Sequence, residues 1–276
     1  GGYYFDPVYA ALANATGVDD LEQCAGDIET YDKPDHLDTS YAVLAAEAKA
    51  LREQSDRAVV GYFGGHILQA CQILRGWETF LMDMLVNRKL AEALIDRLHE
   101  SNMRQFERYA ETVGKYIDVI HLEEDLGMQD RLLMRPEPYR ELLKPRQMEF
   151  FRFVKSRCNA VILFHTDGAV ADLIPDFIEM GVDALNPVQV SAAGMDPAEL
   201  KKEFGGDIAF WGAGCDSQSV LAFGTPQEVA DEVKRHIDTL APGGGYIFSP
   251  IHNIQVDVPP ANAVAMFDAA LEYGVY

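Results

Sequence analysis

The sequence predicts an α/β protein of the TIM-type (β/α)8 barrel class, and three observations lead there. First, six short runs are too uniformly apolar for strands with one wet face: Ala58–Phe63, Ile117–Leu122, Val161–Phe164, Asp183–Pro187, Ile208–Gly212 and Tyr246–Pro250. Such runs fit parallel strands covered on both sides. Second, helical patterns lie between them, with no Asn-Gly type of hairpin signal, so each step is a right-handed βα unit. Third, nearly every run ends in polar or ionisable residues. An open, doubly wound sheet gathers such residues at one switch point, whereas a barrel spreads them over all its strand ends.

The elements follow in order. Asp38–Gln54 is the clearest helix of the first 57 residues, where no strand is expected. Asn87 is placed to cap a long amphipathic helix that stops near Gly114. Asp196-Pro197-Ala198-Glu199 and Thr225-Pro226-Gln227-Glu228 each offer a cap residue, proline at the first helical position and glutamate at the third. Pro260 opens a last helix that ends before Gly274. Six units fall short of eight, so the first two βα units are expected to lie upstream of Gly1. Residues 1–276 are therefore expected to form a single barrel domain truncated at its N-terminus.

Composition narrows the class of partner. The chain is 48% hydrophobic and 24% charged, which suits a soluble globular domain with a full core. Its net charge of −21 repels nucleic acid and anionic membranes. No apolar run approaches the ~18 residues that would span a bilayer. Cys24, Cys71, Cys158 and Cys215 are scattered and form no CxxC, as expected of reduced, packed thiols. With no visible secretory signal, the expected location is the cytoplasm.

The strand ends supply the chemistry. His165 and Asp167 close the third run two residues apart, so an extended chain puts both on one side. They and Asp125, Gln189 and Asp216 are the expected catalytic residues; His66, Glu123, Asn186, Gln218, Asn253 and Gln255 are expected to bind substrate. Glu123 and Glu124 are adjacent, so at most one faces the cavity, and Asp125 should share the direction of Glu123. His121 reads as a core histidine and Cys215 as a half-exposed thiol in a turn. Gly243-Gly244-Gly245 precedes a strand and opens no helix, which removes the dipole argument for a phosphate loop. Zn²⁺ accepts imidazole and carboxylate and keeps one position open in catalytic sites. His165 and Asp167 would give two ligands and His252 the third. A metal-free site, in which the same residues position a substrate, remains open.

The chain resembles the uroporphyrinogen decarboxylase superfamily, closest to its corrinoid (cobalamin)-dependent methyltransferases and O-demethylase components. The resemblance rests on Glu124-Asp125-Leu126-Gly127-Met128-Gln129, Leu143-Lys144-Pro145-Arg146, Phe164-His165-Thr166-Asp167-Gly168 and Gly181 through Gln189. It continues over Phe210 through Asp216, Leu240 through Tyr246, and His252-Asn253-Ile254-Gln255. It implies a (β/α)8 barrel and methyl transfer from a small donor, an O-methyl compound or similar, to cobalt of a separate corrinoid protein. A homodimer is the expected assembly. In the zinc methyltransferases of the family, the metal sits on a His-x-Cys pair and a later cysteine. The histidine corresponds to His165, the first cysteine position is Asp167, and the second is aligned with Gly244. Oxygen ligation by Asp167 would make any metal site harder than two thiolates would. The resemblance also admits a porphyrinogen decarboxylase, which needs clustered Arg or Lys for a polycarboxylate, and a non-catalytic barrel that binds a corrinoid or porphyrin partner.

Overall fold

The computed structural model describes residues 10–24 and 40–275. It is an α/β protein whose six strands form one sheet in the order β1-β2-β3-β4-β5-β6. The strands are β1 (Val60–Gly64), β2 (Val119–Glu123), β3 (Val161–His165), β4 (Ala184–Asn186), β5 (Ala209–Ala213) and β6 (Tyr246–Ser249). Each of the six apolar runs overlaps one of them; in four, β1, β2, β3 and β5, the strand extends one residue past the run. Strands 1 and 2, 4 and 5, and 5 and 6 pair in parallel, with Val60 opposite Val119 and Phe210 opposite Tyr246. Sequential order in a parallel sheet means that every crossover steps the same way, as in part of a (β/α)8 barrel. A doubly wound sheet would reverse its order at a switch point.

The chain divides into two compact units. The first comprises residues up to Glu124 together with Arg135–Leu163; the second comprises Asp125–Met134 and Phe164 onward. In the first, α1 (Tyr41–Gln54), α2 (Leu68–Arg75), α3 (Trp77–Val86), α4 (Arg88–Thr112) and α5 (Lys144–Arg157) accompany β1 and β2. Its core is aromatic: Phe63 meets Phe106 edge-on at 5.1 Å, and Phe106 meets Phe150 at 5.6 Å. Such pairs add about 0.5–1.5 kcal/mol each to the area they bury. The second unit holds α6 (Ile174–Met180), α7 (Pro197–Phe204), α8 (Val220–Phe223), α9 (Pro226–Leu240) and α10 (Pro260–Tyr273). Phe164 packs on Phe177 at 5.2 Å there, and Leu185, Phe210 and Val233 are fully buried.

Local chemistry sets the helix boundaries. Asp196 accepts from the N–H groups of Ala198 and Glu199 at the start of α7. Thr225 and Glu228 form a reciprocal capping box on α9. Asn87 stands at the cap position of α4 but its side chain caps nothing; its amide donates to the Thr16 carbonyl at 3.4 Å instead. The helix expected from Asp38 begins at Tyr41, with Ser40 as its cap, and Asp38 itself lies outside the described residues. No strand precedes β1 among the described residues. No helix among them is long and apolar enough to cross a membrane.

Gly244 calls for a correction. It precedes β6, at that strand's N-terminal end, whereas His165 and Asp167 lie at the C-terminal end of β3. In a parallel sheet those are opposite edges, so Gly244 does not occupy the later cysteine position. The C-terminal end of β6 runs into Ile251 and His252.

Candidate functional site

The site in the second unit is built outward from His165, the last residue of β3. Its Nδ1 lies 2.6 Å from Asn186 Oδ1 at the end of β4. The Asn186 amide donates in turn to the Trp211 carbonyl at 2.8 Å. That bond orients the amide: Nδ2 is committed, so Oδ1 faces the ring and His165 must donate from Nδ1. His165 Nε2 is left toward Asp167, 3.8 Å from Oδ2. Burial alone would favour the neutral imidazole. The hydrogen bond and charge of Asp167, with Asn186 and Asp125 behind them, outweigh it and raise His165 to about 9.

Asp167 is held through its own backbone. Its N–H donates to Asp125 Oδ1 at 3.1 Å, and the next N–H, of Gly168, donates to Gln189 Oε1 at 2.9 Å. Asp125 comes from the loop after β2, which folds back on itself through a bridge between Gly127 and Leu132. This loop is fixed to the β3 end by Leu126 N–H to Thr166 Oγ1 at 3.1 Å and by Ala169 N–H to the Met128 carbonyl at 2.8 Å. The result brings one ligand atom each of Asp125, His165 and Asp167 within 4.8 Å of one another.

Amides surround this group. Gln189 Nε2 donates to Gln129 Oε1 at 2.9 Å, and Gln129 Nε2 to the Ser191 carbonyl at 2.6 Å. Ser191 Oγ reaches Gln218 Oε1 at 3.3 Å. Asp216, expected to do chemistry, accepts from the Gln218 N–H and the Ser219 hydroxyl, so its carboxylate holds its own turn. His252 is not one of the three clustered residues, whereas Asp125 is. The contacts of His252 include Gln255 Nε2 at 3.4 Å, while Asn253 beside it is exposed. Val188 and Ala213, both buried, have φ of 57° and 50°, a conformation that costs a residue with a Cβ about 1–2 kcal/mol. Val188 immediately precedes Gln189.

His66 and Glu123 belong to the first unit, where they meet. His66 Nε2 is 2.8 Å from Glu123 Oε1, and the Tyr62 hydroxyl donates to the same oxygen at 2.6 Å. His121 is half-buried and edge-on to Tyr62, with Nε2 3.6 Å from Glu123 Oε2. Tyr62 was not anticipated, although it stands opposite His121 in the parallel register. Glu124 is fully buried and serves the fold: it accepts from the N–H groups of Ile67, Leu68 and Gln69 at 2.8–2.9 Å, capping the start of α2. Burial pushes its carboxyl up, against those bonds and the charge of His66.

Cys215 differs from expectation. It is completely buried, and its thiol donates to Glu232 Oε2 on α9 at 3.1 Å. Burial, then the Glu232 carboxylate, push it far above the usual thiol range, which disqualifies it as a thiolate nucleophile or ligand near neutral pH.

The donor chemistry decides which metal fits. Two carboxylates and an imidazole suit a divalent cation that accepts oxygen. They do not reproduce a His-plus-two-thiolate zinc set, since no cysteine belongs to the group.

A sequential parallel sheet with ionisable groups converging at its C-terminal strand ends defines a barrel-type α/β protein of the kind that carries enzymatic sites. The family model described as uroporphyrinogen decarboxylase (URO-D) matches residues 19–273, and the chain belongs to that family. Among solved structures, it is similar to a methyltransferase from Methanosarcina mazei. The TM-score is 0.66 at 21% identity, over 88% of this chain and 68% of the other, a likeness of fold. No curated protein matches it by sequence.

Proposed function

We propose that this URO-D family protein is a methyltransferase that moves a methyl group from a small O-methyl donor to the cobalt of a separate corrinoid protein. The observation that carries the reading is the convergence of Asp125, His165 and Asp167 in the second unit. Family membership and the fold shared with a protein named a methyltransferase support it.

In the reaction, the C–O bond of the donor breaks as a C–Co bond forms. Co(I) supplies the electron pair for the new bond, and the leaving oxygen keeps the old pair and departs as the alcohol after taking a proton. A divalent cation held by the site would supply Lewis acidity toward that oxygen. The chain's own work is positional. Asn186 fixes which nitrogen His165 presents, Asp125 and Gln189 fix the Asp167 turn through its backbone, and Gln129 steadies Gln189. Gln218, Asn253 and Gln255 are assigned to the donor's polar groups.

The decarboxylase reading draws on the family's description. Its polycarboxylate substrate calls for clustered cations. In the strand-end loops of the second unit, Arg131 is the one Lys or Arg, and it ion-pairs with the neighbouring Asp130 at 3.0 Å.

The test supplies purified protein with a corrinoid protein reduced to Co(I) and a series of methoxylated donors, and follows methylcobalamin by absorbance. Transfer with at least one donor is expected, lost in Asp167→Asn and His165→Ala. Absence of transfer from every donor, with decarboxylation of a porphyrinogen in its place, defeats the reading.

A further inference from the structure

Among the described residues no cysteine joins His165 as the family resemblance implies, and a different donor set stands at the β3 end. We propose that Asp125, His165 and Asp167 are the three protein donors of an oxygen-rich divalent-cation site, with Asn186 holding His165 in the ligating tautomer. The site takes Zn²⁺, Co²⁺ or Mn²⁺. This assignment concerns the same site as the methyl-transfer reading but needs neither donor nor corrinoid.

Asp125 is the donor that distinguishes this site. It lies forty residues from His165 in sequence and arrives because the loops after β2 and β3 pack backbone on backbone. Metal–ligand bonds of about 2.0–2.2 Å put ligand atoms of one ion roughly 3–4 Å apart. The three atoms already lie within 4.8 Å, so a modest contraction closes the shell. A carboxylate has about four acceptor positions, so accepting from the Asp167 N–H is compatible with ligation by Asp125. His165 gives its Nδ1 hydrogen to Asn186, and the ion would displace the proton that Nε2 turns toward Asp167, leaving a neutral ligating imidazole. The Asn186–Trp211 bond holds that arrangement from outside the shell, the usual role of an outer partner on a ligating histidine. Two carboxylates and a neutral imidazole balance a divalent charge. Lacking sulfur, the set gives a soft ion no advantage, and the ordinary order, with Zn²⁺ above Co²⁺ above Mn²⁺, should hold.

The experiment uses the whole protein, stripped with chelator, and no methyl donor. Calorimetric titration with Zn²⁺ and with Mn²⁺ should show one saturable site per chain. Cd²⁺ should bind no more tightly than Zn²⁺. The Co²⁺ form should show weak visible bands and no thiolate charge-transfer band in the near ultraviolet. Asp125→Asn keeps an oxygen that can accept from Asp167, so the local fold has no reason to change; its affinity should fall by about tenfold or more, and that of Asn186→Ala by about tenfold to a hundredfold. Circular dichroism confirms that both variants are folded. A strong thiolate band, no saturable binding, or unchanged affinity in Asp125→Asn would each overturn the assignment. Binding as described together with failed methyl transfer would retire only the reaction.

Discussion

Gly127 and Asp167 approach more closely than any side chain at 127 would allow: a Cβ there would stand 2.5 Å from the Asp167 carbonyl oxygen. A Cβ on Gly168 would lie equally close to the Gly127 carbonyl carbon, and Gly168 adopts φ of 90°, which favours glycine. This backbone contact delivers Asp125 to the end of β3. Its fixity can be probed with one methyl group. Gly127→Ala should cost about 1–3 kcal/mol, the usual range for overpacking, and should weaken divalent-ion binding along with stability. Urea denaturation and calorimetry on the same preparation check this. A variant that matches the parent in both would show that the two loops are not tightly coupled.

Two adjacent glutamates should respond very differently. Glu124 is buried and satisfies three N–H groups at the head of α2, whereas Glu123 is partly exposed and meets Tyr62 and His66. Glu124→Ala strands those donors and should destabilise the protein by about 3 kcal/mol or more. Glu123→Gln should cost much less stability, since the amide can still meet Tyr62 and no helix N–H depends on it. Chemical denaturation of both variants tests the contrast, and equal losses would contradict it.

The strands were legible as apolar runs, and each run overlaps one, but cover on both faces is incomplete: Val60 and Tyr62 on β1, Val161 on β3 and Ile247 on β6 are exposed. The His165–Asp167 pair was legible for a similarly local reason: the two are two residues apart at a strand end, and although β3 stops at His165, Nε2 lies 3.8 Å from Asp167 Oδ2. Asp125 as their partner was not. β2 ends at Glu123, so alternation no longer governs Asp125, and its place depends on glycine packing between two loops. Cys215 was misread as half-exposed because the group that buries it, Glu232, comes from a helix seventeen residues later. The assignment of Asn87 as a helix cap was sound in position but not in contact, because the Thr16 carbonyl competes for its amide. Side chains that point along their own element can be read from sequence; contacts between loops depend on packing that no single segment encodes.

The thiol of Cys215 should be chemically silent in the folded protein. It is fully buried, donates to Glu232 and is pushed up by burial and by that carboxylate. Alkylation by iodoacetamide at pH 8, read by mass spectrometry, should leave Cys215 unmodified under native conditions and modify it rapidly in urea. Glu232→Gln keeps an acceptor but removes the charge, so labelling should rise only slightly while burial persists. Rapid native labelling of Cys215 would mean that the turn after β5 opens.

Acid sensitivity should arise partly where α1 meets the start of β2. Asp118 accepts from Arg52 at 2.6 Å and from the Val59 N–H at 2.8 Å, and the Arg52 hydrogen bond, then the backbone bond, hold its carboxyl below the usual 3.8. A carboxyl depressed in the folded state adds stability above its unfolded pKa and loses it as pH falls through the lower folded value. The loss therefore belongs below about pH 4. The pair is more than a third exposed, which keeps the effect modest and sensitive to salt. Asp118→Asn removes the titrating group but not its acceptor oxygen. Its urea midpoint should lie below the parent's at pH 7, and the gap should narrow progressively as pH falls below about 4. Raising the salt concentration should shrink the pH 7 gap in the same direction. A gap that stays constant from pH 7 to pH 3 would assign the difference to packing around the substituted amide and not to the charge of Asp118.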